Sequence, residues 1–332
     1  MSTTETVLLV VVAGVVVLIL GNIAFQLLAE RRNPPIGVFI TCDGVRLHYI
    51  ERGAATAACV VLFHGNGTML QDLVLSGLVD RLARSYRVIC FDRPGFGYSQ
   101  RPRTRLWTAA AQAALFAQAL DQLGVRKPVV LGHSWGTLVA IALSMRSDYA
   151  VSGLVLASGY YFPTFRLDFW LMSAPAMPVI GDLLRYTVSP IISWAIWPKL
   201  VRTLFAPRDV APEFKTEFPI SLSLRPKQLR AAAEESAFLI PVAAQLQFQY
   251  RSIRCPVRIV HGKDDRLIEA EQSRRLHASV PGSLLHLVED AGHMVTYADA
   301  PGIADSVAAL AFAAPISPQI AAEPSARTIR GR

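Results

Sequence analysis

The sequence predicts an α/β fold: a mostly parallel, twisted sheet covered by helices on both faces, with a helical cap inserted late in the alternation and one apolar helix in front. Three observations carry that prediction. Short apolar runs at residues 59–63, 87–91 and 128–131 are each followed by a Gly-bearing turn and a segment of helical periodicity, the pattern of a parallel sheet built from crossovers. The alternation stops between about residues 160 and 254 and resumes with apolar runs at 257–260 and 284–288, which marks the interruption as a subdomain. Residues 6–29 carry no ionisable side chain. A helix there would span about 36 Å, enough to cross the hydrocarbon core of a bilayer.

That first segment is expected to be a transmembrane anchor. A secretory signal peptide would place positive charge ahead of a shorter apolar stretch and a small-residue cleavage site behind it, whereas this one begins with Glu5 and ends Leu-Leu-Ala-Glu-Arg-Arg. Arg31 and Arg32 follow it and no Lys or Arg precedes it, so the positive-inside tendency puts the rest of the chain in the cytoplasm. Gly14 and Gly21 share a helical face and permit close packing in the bilayer, but the oligomeric state is not legible.

A hairpin comes next, with β-rich runs at 38–41 and 45–50 around the turn dipeptide Asp43-Gly44. Covering helices are expected over 69–85 and 107–123, the second ending at Gly124, and a further strand over 151–157. The interruption is rich in aromatics (Phe162, Phe165, Phe169, Trp170, Trp194, Trp197), and Pro163, Pro175, Pro178, Pro190 and Pro198 are expected to cut it into short helices. Its uncharged stretches, 169–180 and 186–198, are too short to cross a bilayer. They suit an interfacial position, with Lys199 and Arg202 outside, or else build the cap's own core. From Pro315 onward, Pro, Ser, Ala and Arg without periodicity predict a disordered tail. The expected division is an anchor at 1–30, a core at 36–160 and 255–314, a cap at 161–254 and a tail at 315–332.

At 332 residues the chain is ordinary for one α/β core with one insertion, and its 52% hydrophobic and 17% charged content reflect the apolar N-terminus. The net charge of +8 is scattered rather than gathered in a run or interleaved with stacking aromatics, which argues against a nucleic-acid partner. Cys42, Cys59, Cys90 and Cys255 are dispersed and form no Cys-x-x-Cys pair, as suits a reducing compartment. Neither a dinucleotide-type glycine motif after a strand, nor a Walker loop, nor paired His or Cys ligand spacing is present, so no metal or organic cofactor is expected.

The strongest signal is Gly132-His133-Ser134-Trp135-Gly136, placed between the run at 128–131 and the helix-compatible stretch 137–145. A serine on a sharp strand-to-helix turn sits in a strained backbone, and flanking glycines leave the volume the turn needs. Upstream, His64-Gly65-Asn66-Gly67 follows the strand at 59–63, and Asp92-Arg93-Pro94-Gly95-Phe96-Gly97-Tyr98-Ser99 follows the next. Downstream stand Ile259-Val260-His261-Gly262-Lys263-Asp264-Asp265 and Glu289-Asp290-Ala291-Gly292-His293-Met294. Together these motifs resemble those of the α/β-hydrolase superfamily, and the likeness runs over residues 38–312.

The resemblance implies a Ser134–His293–Asp265 triad in the chain order Ser, Asp, His. It selects Asp265 over the adjacent Asp264, because the family's acid stands third after the glycine. It also implies an oxyanion hole from the backbone N–H groups of Asn66 and Trp135, and a structural role for the Asp92–Ser99 loop. A serine hydroxyl is a poor nucleophile at neutral pH, so His293 would take its proton as Ser134 attacks a carbonyl. Asp265 would fix the imidazole tautomer, each oxyanion donor would contribute about 3 to 4 kcal/mol, and water would release the acyl-enzyme. Singly, each residue has a structural reading: Ser134 a helix cap, His293 a loop histidine, Asp265 a turn residue.

The expected activity is therefore hydrolysis of a carboxylic ester or related acyl bond of a hydrophobic small molecule, at a membrane. Carbon–carbon hydrolases of ring-cleavage products share this core and cap, but often carry Gly-Asn-Ser-Met-Gly at the elbow. Epoxide hydrolases and haloalkane dehalogenases use an Asp nucleophile, which Ser134 cannot replace. A cofactor-free peroxidase or an acyltransferase would use the same triad with another acceptor, and a ligand-binding scaffold would keep it without turnover.

Overall fold

The computed structural model describes residues 1–311, so the expected tail at 315–332 lies outside the described residues. The chain opens with one long helix, α1 (Thr3–Arg32), whose first turn is closed by a capping box: Ser2 Oγ accepts from the Glu5 N–H, and Glu5 reaches back to the Ser2 N–H. Its mean hydropathy over the most apolar window is 2.9, and that window is not buried against the rest of the protein. The hairpin β1 (Val38–Cys42) and β2 (Val45–Arg52) follows, then β3 (Cys59–Phe63), α2 (Leu70–Leu75), α3 (Leu78–Ala83), β4 (Arg87–Phe91), α4 (Ala109–Gln122), β5 (Val129–His133), α5 (Gly136–Ser144) and β6 (Gly153–Ala157).

Between β6 and the next strand lie six α-helices, α6 (Leu167–Met172), α7 (Ile180–Tyr186), α8 (Ser189–Phe205), α9 (Pro212–Glu217), α10 (Ile220–Ser223) and α11 (Pro226–Leu246), with short 3-10 turns at Ala174–Ala176 and Tyr250–Ser252. The alternation then closes with β7 (Val257–Gly262), α12 (Glu271–Ser279), β8 (Leu284–Val288), α13 (Val295–Ala298) and α14 (Ala300–Ala311).

The eight strands among the described residues form one sheet in the order β1-β2-β4-β3-β5-β6-β7-β8. Only β1 and β2 run antiparallel to their neighbours; β4, β3, β5, β6, β7 and β8 are mutually parallel. Because side chains alternate across a strand, β3 serves two cores. Val61 and Phe63 pack with α4 and α5, while Val60 and Leu62 pack with α3 and α14 on the other face. The functional loops therefore leave the carboxyl ends of β3, β4, β5, β7 and β8, at one edge of a rigid slab.

Two details differ from the sequence-based expectation. The helix expected over 69–85 is broken into α2 and α3 by Gly77, which takes φ +73°, a left-handed conformation that ends one helix and starts the next. Nor is the cap made only of short helices: α8 runs through Pro198 and α11 through Pro241. A proline removes one intrahelical bond, and here tertiary packing outweighs that loss. The cap's aromatics divide between two environments. Trp197, Phe205, Phe214 and Phe218 pack into a buried cluster with Phe214 and Phe218 ring centroids 4.5 Å apart, whereas Phe165 and Trp194 are exposed.

Candidate active site

Ser134 follows β5 directly and precedes α5, with φ +52°. A non-glycine residue there is strained, and the turn holds because Ser134 N–H donates to Ala157 O at 2.8 Å while the chain crosses its neighbours too closely for side chains. A Cβ on Gly132 would sit 2.5 Å from Gly136 O, and one on Gly136 would sit 2.4 Å from Phe63 O. The glycines of the pentapeptide are thus dictated by the sheet beneath it.

His293, in the loop between β8 and α13, places Nε2 2.9 Å from Ser134 Oγ. Its Nδ1 lies 2.7 Å from Asp265 Oδ2, in the loop after β7. The other carboxylate oxygen of Asp265 accepts from the N–H groups of Leu267 and Ile268 at 2.8 and 2.9 Å, which fixes the plane of the acid. Burial raises the Asp265 pKa, but the neighbouring His293 charge and hydrogen bonds from His261 and His293 outweigh it and hold the carboxyl well below its usual range. The acid is therefore an anion whose tautomer demand on His293 is set: Nδ1 donates, leaving Nε2 to accept from the serine. Asp264, by contrast, points to solvent.

His261 is a residue the sequence reading did not single out. It is fully buried, its Nε2 donates to Ile268 O at 2.9 Å and lies 3.2 Å from Asp265 Oδ2, and its Nδ1 lies 2.7 Å from Ser273 Oγ. Its place in β7, four residues before the acid, was the only signal for it. His133, inside the pentapeptide, bonds through Nε2 to His293 O at 3.0 Å. Burial and the nearby His293 push its pKa down to about 3, so it is a neutral strut.

Asn66 and Trp135 both border the space over Ser134, and among the described residues neither backbone N–H is used in backbone pairing. The Asn66 side chain is turned away to the cap, where Nδ2 donates to Ala232 O at 3.1 Å and Ser236 Oγ at 3.3 Å in α11. The loop carrying it is pinned from below by Arg93, whose Nε and Nη2 each donate at 2.8 Å, to His64 O and Gly65 O. Arg93 is fully buried and pairs with Glu235 of α11, also fully buried. Gln112 Nε2 donates to the same carboxylate at 2.9 Å. Glu235 was not legible in the sequence as part of this site, because its partner is far away in the chain.

Ser134 and His293 open into a cavity of about 140 Å³ whose walls are largely apolar: Met172 and Leu200 and Leu204 from the cap, Leu239 of α11, and Ile268 and Met294 from the core. Larger clefts exist, one of about 930 Å³ between α8 and α9, but Ser134 lines neither that one nor the cleft beside α1. Among the described residues no group of His, Cys, Asp or Glu is arranged to hold a metal ion.

A protein-family model described as alpha/beta hydrolase fold matches residues 59–300. The chain is 29% identical over 273 residues to the 2-hydroxy-6-oxo-2,4-heptadienoate hydrolase of Pseudomonas putida, covering 79% of this chain and 91% of that one. It is 26% identical over 279 residues to a 2-hydroxymuconate semialdehyde hydrolase of the same species, covering 80% and 90%. Among solved structures, a membrane phospholipase A described as a bacterial virulence factor superposes with TM-score 0.63 at 20% identity, over 92% of this chain and 96% of that one. An esterase from Exiguobacterium antarcticum superposes with TM-score 0.68 at 20% identity, over 83% and 99%. At these identities the superpositions speak for the fold.

Proposed function

The chain belongs to the α/β-hydrolase family, and from that premise we propose that it is a serine hydrolase that cleaves a carboxylic ester or related acyl bond of a hydrophobic substrate through an acyl-enzyme. Ser134 is the nucleophile, His293 the general base and then the general acid, and Asp265 the anion that orients and stabilises the imidazolium. The backbone N–H groups of Asn66 and Trp135 receive the developing oxyanion. The single observation that supports this most is the continuous line Ser134 Oγ, His293 Nε2, His293 Nδ1, Asp265 Oδ2, with links of 2.9 and 2.7 Å, ending beneath an apolar cavity.

In this mechanism the strained Ser134 turn points Oγ at the cavity and leaves its proton to His293 as the carbonyl carbon is attacked. The charge formed on the carbonyl oxygen meets two N–H donors in a loop that Arg93 holds still, so little reorganisation is needed in the transition state. Protonated His293 then gives its proton to the leaving alkoxide, and water, activated by the same imidazole, releases the acid.

The curated relatives give a second reading, carbon–carbon hydrolysis of a dienoate. Such a substrate is a carboxylate, and the described lining of this cavity includes no Arg or Lys to receive one. That favours an uncharged acyl compound. We also propose that α1 is a single-pass anchor with the hydrolase body on the cytoplasmic side, supported by its hydropathy, its exposure and Arg31 and Arg32 at its end.

The test is product analysis on the purified full-length chain, using a panel of p-nitrophenyl esters of increasing acyl length beside a vinylogous ring-cleavage product. Release of free acid from the esters, abolished in Ser134→Ala, is expected. Turnover of the ring-cleavage product with no ester turnover would replace this reading with the second.

A further inference from the structure

α1 does not stand apart from the cap. Asn22 is buried, and its Nδ2 donates to Tyr186 O at 2.8 Å and to Thr187 O at 3.2 Å, where α7 ends. Ala29 is buried as well, Asn33 Nδ2 donates to Ser221 Oγ at 3.3 Å, and Glu30 pairs with Arg225 at 2.8 Å. The last three turns of α1 are thus fastened to the cap. The free part, residues 3–21, is about 28 Å long, close to the roughly 30 Å of a bilayer's hydrocarbon core. Asn22 therefore stands near the membrane surface, and the junction of α7 and α8 stands beside it.

At that junction apolar side chains are exposed next to α1. In the first half of α8, Ile191, Ile192, Trp194 and Ile196 are each more than half exposed, so this half-helix shows apolar side chains on several sides. Leu183 of the neighbouring α7 is half-exposed as well. A helix apolar all round is stable only in an apolar surrounding, and single exposed leucines do not account for a continuous stretch. Residues 186–198 carry no charge, and Lys199 and Arg202 begin the half that returns to the protein, the order that an interfacial helix shows.

We propose that the exposed face of α7 and the first half of α8 is inserted in the bilayer interface beside α1, and that the Ser134 cavity draws hydrophobic acyl substrate from the membrane. The second part rests on the hydrolase reading above. It follows from continuity: Met172 of α6 is half-exposed and Leu200 and Leu204 belong to α8, and all three wall the cavity over Ser134. An acyl chain entering beside α8 leaves lipid for protein without crossing water, so the apolar area it needs is never exposed.

Two measurements on the full-length chain test this. The first reconstitutes it in phosphatidylcholine vesicles whose acyl chains carry bromine, a contact quencher of tryptophan. Of the five tryptophans, Trp107 and Trp135 are buried. The emission that disappears in Trp194→Phe should be quenched about twofold or more by brominated lipid, as for a ring lodged in the interface. Unquenched Trp194 emission would overturn the proposal. If, in addition, detergent-solubilised protein were a dimer that Ile191→Glu/Trp194→Glu dissociates, the face would be a contact between copies, which also overturns it.

The second measurement compares a water-soluble short ester with a long-chain ester carried in vesicles. Ile191→Glu/Trp194→Glu should leave the first within about twofold, as for a surface change away from the site, and lower the second about tenfold or more, because interfacial binding scales with apolar area. Equal effects on both would overturn lateral supply of substrate. Failure of the wild type to turn over either ester would instead sink the hydrolase reading, while the quenching result would still decide where the cap lies.

Discussion

Arg93 in the loop after β4 and Glu235 in cap helix α11 form an ion pair in which neither side chain reaches solvent. Withdrawing two charges from water is costly, and the pair is tolerable because nearly every donor has a partner: His64 O, Gly65 O, Gln112 and the carboxylate itself. Removing one member strands the other. Glu235→Ala should therefore destabilise the fold by about 3–5 kcal/mol, whereas an Arg93→Met/Glu235→Leu double substitution should lose far less. Denaturant unfolding measures both. The double variant should nonetheless show a lower kcat, because His64 and Gly65 lose the groups that hold the loop carrying Asn66, the proposed oxyanion donor.

Asp265 and Asp264 are separated by their environments. Asp265→Asn keeps an oxygen for the Leu267 and Ile268 N–H groups but offers an amide to His293 Nδ1, favouring the wrong tautomer, so kcat should fall by about 10⁴ with little loss of stability. Asp264→Asn alters a solvent-facing carboxylate and should stay within about twofold of wild type. Steady-state kinetics on one soluble ester, beside thermal unfolding, separates the two.

Gly65 faces Ser134, the proposed nucleophile. A methyl group there would lie 3.1 Å from Ser134 Cβ and 3.3 Å from His133 Nδ1, tighter than ordinary contact, so Gly65→Ala should push the loop carrying Asn66 from Ser134. Displacements of this kind cost about 10–100-fold in kcat. The melting temperature, read on the same sample, should shift little by comparison.

Asp72 gives the fold a pH dependence of unusual sign. Its carboxyl is fully buried, and burial raises its pKa to about 7 despite hydrogen bonds from Tyr297 and Thr68 and the His293 charge. Oδ1 accepts from Tyr297 at 3.1 Å, while Oδ2 has no partner among the described residues. The folded state holds a proton that the unfolded chain releases above its ordinary value of 3.8. Stability from this group is complete below that value and is lost as pH rises to about 7, by about 4 kcal/mol in all. Asp72→Asn should flatten that decline, raising the melting temperature at pH 8 more than at pH 5. An equal change at both pH values would contradict the assignment.

What the sequence made legible was local. Ser134, Asp265 and His293 each stand just past the end of a strand, in motifs whose glycines are required by the backbone crossings beneath them, so their order along the chain pointed to the fold and to the candidate site together. What it hid was long-range. Glu235 looks like any polar residue of a helix until Arg93, 142 positions away, is packed against it. Asn22 is a lone amide in an apolar run, and its carbonyl partners lie 164 and 165 positions on. The break at Gly77 escaped notice because hydrophobic periodicity continues across it, and the continuity of α8 and α11 because a proline's local cost was outweighed by contacts the sequence does not display.

The central claim is that Ser134 Oγ is the nucleophile, made reactive by His293. Intact-protein mass spectrometry after exposure to a fluorophosphonate, followed by peptide mapping, tests it most directly. One adduct on Ser134 is expected, absent in Ser134→Ala and formed at least about 10³-fold more slowly in His293→Ala. An adduct that persists in Ser134→Ala, or labelling whose rate ignores the loss of His293, would contradict the account.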